Sequence, residues 1–288
     1  MASGLAGVDV SSFQGAPAQW RAAAGNIAWA AVKFTELSQG DHGPVRYVNP
    51  DAAADWAYLK QQGLGRVAYA FGHPKTSAAD TAGFFSEQIR ALGLADGDAI
   101  ALDLEVTDGL GPAAVSAWAR AVMGILHSQY GRPPLLYTFR SFAAGNCAGL
   151  GGWPLWISDP SHAAGHPAVP APWKTWAIHQ YGTAGAIDRD LACWPSVATM
   201  RAALGRVPAP PKPATEQENE MILVQVDRGG VPAGTPWPGV FLVTPGAPAH
   251  HVTGPEGGID NVKAYQAAGV KGPAVITWAE YQGWAAGR

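Results

Sequence analysis

Short apolar runs that alternate with longer stretches of helical spacing restrict this chain's fold more than any other feature of it. The runs are Gly7 to Ser11, Trp29 to Thr35, Arg66 to Phe71, Ala99 to Val106, Leu135 to Phe139, Leu155 to Ser158, Trp176 to Tyr181 and Ile187 to Leu191. A strand followed by a helix, repeated, predicts βα units around a parallel sheet, because each parallel pair needs a crossover that packs back on the sheet. Helices are best bounded between Asn49 and Gly63, with Pro50 at the first helical position, between Thr76 and Gly93, and between Pro112 and Gly131. Each has a capping residue before it and a glycine to end it. The first five runs leave room for a helix after them, whereas the connections after Leu155 are rich in Gly and Pro. The expected fold is α/β, a (β/α) barrel complete in its eight strands but incomplete in its outer helices. It is smaller than the roughly 250 residues of a full (β/α)8 barrel.

One break divides the chain. RVPAPPKPATEQENE, Arg206 to Glu220, has four prolines and no aromatic residue, so it cannot build a core and reads as an extended linker. The domains expected are residues 1–205, the barrel; 206–220, the linker; and 221–288, a small α+β module. In the last, MILVQV, GVFLV and PAVIT read as strands, with helical spacing at Asn261 to Ala268 and Trp278 to Trp284. Met221 opens this module, so a separately translated fragment that assembles with the full chain through it is conceivable.

Composition removes several classes of function. Nineteen basic residues against twenty-two acidic ones give a net charge of -3, and no stretch gathers Lys or Arg into a track for a phosphate backbone, so no nucleic-acid partner is expected. No apolar run approaches the eighteen or so residues of a membrane span, so no membrane insertion is expected. MASGLAGVDV lacks the charged and apolar regions of an export signal, which predicts synthesis in the cytoplasm without a signal of its own. Cys147 and Cys193 lack the spacing of a zinc site and read as ordinary buried thiols. No His/Glu cluster has metal-ligand spacing, and neither a metal nor a cofactor is expected.

The chemistry concentrates in AIALDLEV, Ala99 to Val106. Period-two alternation puts Ile100, Leu102, Leu104 and Val106 on one face and Ala99, Ala101, Asp103 and Glu105 on the other. If the apolar face meets the helices, two acids point into the barrel at the C-terminal end of a strand, where such barrels keep their active sites. Their Cα atoms would be roughly 6.6 Å apart, close enough for both carboxyls to act on one sugar linkage. Two close, buried acids push one pKa upward, which makes one of them a proton donor near neutrality. Asp9, alone and polar between Val8 and Val10, and Asp188, in AIDRDL on the last strand, arrive at barrel ends in the same way. Asp190 shares a face with Asp188 but lies further along the strand, outside the expected set.

The order GVDVSSFQG, AVKFTELS, VAYAFGHP, ALDLEV, LLYTF, PLWIS, WAIHQY and AIDRDL, from Gly7 to Leu191, resembles the glycoside hydrolase family 25 lysozymes, the Chalaropsis-type N-acetylmuramidases. The resemblance implies a modified barrel of eight strands and about five helices. It implies Glu105 as general acid, Asp103 as support for the reacting sugar, and Asp9 and Asp188 completing the acidic floor. Lys33, Glu36, Tyr69, Tyr137, Trp156 and Gln180 would line the cleft. The chain departs from the family where Leu37 follows Glu36 in place of Gly, where Ala70 takes the place of a His with His73 following, and where His179 stands for a Trp before Gln180. These departures touch sugar contacts and loop shape and leave every acid in place.

The function this implies is hydrolysis of the β-1,4 bond between N-acetylmuramic acid and N-acetylglucosamine, with bacterial peptidoglycan as partner. A linker and second module without an export signal look like a bacteriophage endolysin that waits in the host cytoplasm before acting on the wall. Trp237, His250, His251, Tyr281 and Trp284 are the candidate wall contacts of the module. The rivals are an exported bacterial lysozyme, a catalytically silent peptidoglycan-binding lectin, and a peptidase or amidase. The last needs a Cys/His pair or zinc ligands.

Overall fold

A computed structural model describes residues 4–205 and, beyond them, the backbone of four strands. The first of two compact units, Met1–Ala209, holds the barrel. Its strands are β1 (Leu5–Val10), β2 (Trp29–Gly40), β3 (Gly43–Val48), β4 (Gly65–Phe71), β5 (Ala99–Asp103), β6 (Leu135–Phe139), β7 (Leu155–Ser158), β8 (Ile178–Ala184) and β9 (Ile187–Ala192). The helices are α1 (Pro17–Ala24), α2 (Ala52–Gln61), α3 (Ala78–Leu92), α4 (Pro112–Tyr130), α5 (Arg140–Asn146) and α6 (Val197–Leu204). Neighbours in the sheet run β1-β9-β8-β7-β6-β5-β4-β2-β3, and a parallel β1–β2 pairing closes eight of these strands into a barrel. β3 hangs on the outside of β2 as the arm of a hairpin.

The helix-poor second half expected from the sequence is what the chain builds. One helix follows each of β1, β3, β4, β5 and β6, while β7 reaches β8 through a loop without a helix. β9 returns antiparallel to both its neighbours. A two-residue turn, Gly185-Ala186, makes this reversal, with φ of 61° and 62°. Positive φ at both positions is the geometry that matches the twist of a hairpin. Gln14 donates from Nε2 to the Ala186 carbonyl at 3.2 Å and ties the turn to the loop after β1.

Several expected boundaries move. The strand expected over Ala99 to Val106 ends at Asp103, so Glu105 lies in the loop that follows. The apolar assignment of that segment nevertheless holds for three residues: Ile100, Leu102 and Leu104 pack between barrel and helices. Helices α3 and α4 begin and end within two residues of their expected limits; Ser77 caps α3 by accepting from the Asp80 amide, and Gly131 ends α4 in the left-handed region.

The core has two layers. Trp20, Phe34, Trp56, Phe85, Met123 and Leu126 fill the space between sheet and helices. Trp29, Ala31, Val67, Ala99, Ala101, Leu135 and Ile178 fill the barrel itself, with Met200 and Leu204 of α6 packed against them. A Cβ on Gly7 would stand 2.1 Å from the Trp29 ring, so only glycine fits there on β1. Cys147 is buried, but Cys193, expected to be buried, is exposed just past the end of β9.

The second unit, Pro210–Arg288, contains β10 (Ile222–Val226), β11 (Val240–Val243), β12 (His250–Thr253) and β13 (Lys271–Ile276) in the order β12-β11-β10-β13. β10 and β13 are parallel and the other pairs antiparallel. The strands expected at MILVQV, GVFLV and PAVIT correspond to three of these. The linker, Met221, the two helical stretches, the module's interaction residues and its role in oligomers lie outside the described residues or concern side chains outside them. Among the described residues no helix is long and apolar enough to cross a membrane.

Candidate active site

The strand ends of β1, β4, β5, β6, β7 and β8 and the start of β9 surround a cavity of about 220 Å³. Asp9, Lys33, Tyr69, Asp103, Glu105, Tyr137, Trp156, Gln180 and Asp188 all line it. Because β9 is antiparallel, its beginning lies where the other strands end, and Asp188 pairs in register with Asp9 across the β1–β9 seam. Asp103 is the last residue of β5; Glu105, two residues on, is less buried.

Burial sets the electrostatics. Removal from water pushes Asp103 well above the usual carboxylate range, and the neighbouring Glu105 adds to the rise. Glu105 is raised mainly by burial too, with Lys33 opposing. Two carboxyls this close titrate together, so the pair holds a proton more tightly than either would alone in water. Asp103 Oδ1 is buried and has no hydrogen-bond partner among the described residues. Asp9 rises to about 6 through burial and the charge of Asp188, against the pull of a hydrogen bond from Gln180.

Gln180 organises one wall. It donates from Nε2 to Asp9 Oδ2 at 2.9 Å, while its Oε1 accepts from the Tyr137 hydroxyl at 2.9 Å and from Ser158 Oγ at 2.6 Å. With both ends of the amide committed, its orientation is fixed. Trp156 is nearly fully buried and meets Trp29, Tyr69 and Tyr137 edge to face. It lies at the floor of the cavity. Phe13, in the loop after β1, is 93% exposed and lines the same cavity. Sequence reasoning missed it, although GVDVSSFQG contained it, because an exposed loop phenylalanine has no period to mark it.

Glu36 is not among the residues that line the cavity. A β-bulge between Lys33 and Thr35 inserts Phe34, so that strict alternation fails and Lys33 and Glu36 come to one side. Lys33 Nζ lies 2.6 Å from Glu36 Oε2 and 4.9 Å from the centre of the Phe71 ring. His73 then bridges Glu36 Oε1 at 3.1 Å and Asp108 Oδ1 at 3.0 Å. Hydrogen bonding to His73, with Lys33 close by, pulls Glu36 down to about 2 despite its partial burial, and Glu36 in turn raises His73. This clamp joins β2 to the loops that follow β4 and β5.

Two other departures from the family pattern face away from the cavity. Ala70 packs in the layer beneath the helices. His179 is fully buried, accepts at Nδ1 from the Gly165 amide at 3.1 Å and therefore donates from Nε2 to the Asp159 carbonyl at 3.0 Å. It secures the 159–170 loop. Asp190, left out of the expected set, lies fully buried one step below Asp188, opposite Gly7 of β1. Burial and the nearby Asp9 hold its carboxyl well above the usual range.

The model of the Glycosyl hydrolases family 25 matches residues 8–189, which include every acid of the cavity. No curated protein matches the sequence. Among solved structures the chain is similar to the bacterial lysozyme from Streptomyces coelicolor, at 23% identity, covering 71% of this chain and 98% of that one with a TM-score of 0.56. It is similar to a family GH25 lysozyme from Aspergillus fumigatus, at 21% identity over 70% and 100% of the two chains, TM-score 0.56. The CTP1L endolysin is similar at 18% identity over 78% and 75%, TM-score 0.52. With the family model running from the first strand of the barrel into the last, over more than half of the sequence, this chain belongs to glycosyl hydrolases family 25 and is a glycoside hydrolase.

Proposed function

We propose that the enzyme is a lysozyme, an N-acetylmuramidase that cleaves the β-1,4 bond between N-acetylmuramic acid and N-acetylglucosamine in bacterial peptidoglycan. The observation that carries this reading is the convergence of Asp103 and Glu105 with Asp9 and Asp188 on one cavity. Glu105, the more accessible of the coupled pair, gives its proton to the glycosidic oxygen as the bond breaks. An acetamido N–H of the sugar satisfies the unpartnered Asp103 Oδ1. A hydrogen bond to the ionised form lowers a carboxyl's pKa, so this contact moves the shared proton from Asp103 to Glu105 when substrate binds. The Asp103 carboxylate also stabilises the positive charge that develops at the anomeric carbon. Asp9, held by Gln180, and Asp188 orient the acetamido group or the attacking water. Lys33 steadies the ionised members of the cluster, and Tyr69, Tyr137 and Trp156 shape the wall and floor against the sugar.

We read the protein's role as that of a phage endolysin, made in the host cytoplasm and released onto the wall. A second compact unit behind a Pro-rich stretch supports it, since a wall-binding module raises the enzyme's effective concentration on its polymer. Co-expression with a holin tests the role: lysis that needs the holin fits it, and lysis without one overturns it.

Digestion of purified walls followed by end-group analysis tests the activity. New muramic acid reducing ends are expected; new amino groups would indicate a peptidase and no release a lectin. Glu105→Gln is expected to lower the rate by about 100-fold or more while wall binding persists.

A further inference from the structure

A second concavity of about 590 Å³ opens beside the catalytic cavity, with Phe139, Arg140, Ala144, Ser158, Asp159 and Pro170 among the residues that line it. It lies at the same barrel ends, those of β6 and β7. Ser158 belongs to this groove and donates to Gln180, which in turn donates to Asp9, so one glutamine side chain separates the groove from the acids.

The chemistry of the groove differs from that of the cavity. Its apolar wall is phenylalanine, proline and alanine. Two of its three serines are occupied: Ser158 Oγ with Gln180 and Ser161 Oγ with Asp159 at 2.6 Å. The Asp159 carboxylate turns inward, accepting also from the Ala168 amide at 2.9 Å and pairing with His162 at 2.8 Å. Arg140 is exposed at the start of α5, and no ion pair or hydrogen bond engages its guanidinium among the described residues. A sugar would find few free hydroxyl partners here. A chain of small apolar side chains with a carboxylate finds both surfaces it needs, since a guanidinium fork suits a carboxylate and alanine-sized walls suit methyl groups.

We propose that this groove binds the anionic peptide stem carried on the lactyl group of the muramoyl residue, with Arg140 meeting a stem carboxylate. The inference rests on the muramidase reading and adds to it a preference for stem-bearing glycan. The walls are prepared for this without a ligand: His179 and Asp159 hold the 159–170 loop, and Phe139 packs against Phe142 with ring centres 5.6 Å apart.

The test compares soluble, uncrosslinked glycan strands bearing stems with the same strands after an amidase has removed the peptides. Arg140→Ala is expected to raise KM on stem-bearing strands about five-fold with kcat held, and Arg140→Glu to raise it further, as losing or reversing one exposed charge-assisted contact would. On peptide-free strands both variants match the wild type, which also shows they are folded. Equal losses on both strands, pointing to a sugar contact, or no loss on either would overturn the proposal. Wild-type protein that releases no new muramic acid ends from either strand would overturn the muramidase reading and the groove's role with it.

Discussion

Trp156 donates its indole N–H to Asp190 Oδ1 at 2.8 Å across the closed interior of the barrel. A tryptophan that sequence reasoning assigned to sugar contact therefore also anchors a carboxyl beneath the acids of the mouth. The other oxygen of Asp190 has no donor among the described residues, and an ionised group there would face Asp9 directly. Asp190 accordingly holds its proton more tightly than a carboxyl in water does.

Replacing Asp190 separates its charge from its shape. Its folded-state pKa is raised, so the folded protein holds a proton that the unfolded chain releases above about pH 4. Stability therefore falls as pH rises from there toward the folded pKa. Asp9 adds a slope of the same sign between its usual value of 3.8 and about 6. Asp190→Asn keeps an acceptor for Trp156 and removes the titration, so its stability advantage over the wild type should grow between pH 4 and pH 8. Asp190→Ala leaves the indole unpaired beside a void and should cost about 2–4 kcal/mol. Denaturant unfolding across that pH range measures both, and an Asp190→Asn protein less stable than the wild type at pH 8 would contradict the upward shift of the Asp190 carboxyl.

His73 should behave oppositely with pH. Its folded pKa is raised, so the clamp's contribution is complete below about 6.5 and disappears as pH climbs through the raised value. Glu36, lowered to about 2, stays ionised throughout. His73→Gln is expected to unfold at a lower temperature than the wild type at pH 6 and to converge with it near pH 9. Since Glu36 restrains Lys33, which faces the coupled acids, the variant should also shift the pH–rate profile. A variant that tracks the wild type at pH 6 in both measurements would remove the clamp from the account.

Gly7→Ala tests how tightly the barrel interior is filled. The added methyl would overlap the Trp29 indole, whose Nε1 donates to the Leu5 carbonyl at 3.0 Å and so cannot swing aside freely. A loss of about 3 kcal/mol or more in unfolding free energy is expected, by calorimetry or denaturant titration. Stability within 1 kcal/mol of the wild type would mean that the ring has room to move.

The barrel was legible because its signals were local. AIALDLEV shows its two faces by simple alternation, and single acids among valines or beside a turn stand out on β1 and β9. What escaped had physical reasons. β3 reads GPVRYV, with a proline and mostly exposed side chains, and as a hairpin arm it needs no apolar face. The bulge at Phe34 defeats counting by twos, so the partnership of Lys33 with Glu36 and His73 could not be seen along the chain. Asp190 had the right face, but its depth depends on β9 running antiparallel. Arg140 and Phe13 are exposed and carry no pattern at all.

Gly185 and Ala186 touch neither the cavity nor the groove, yet they decide which carboxylate reaches the substrate. A turn one residue longer or shorter could offset β9 by one position, sending the side chain of Asp188 to the helix layer and bringing Arg189 into the barrel. The reactive geometry of this enzyme is thus set in part by the length of a connection, and an insertion at the tip of that hairpin would disarm the enzyme while leaving every acidic residue in its sequence.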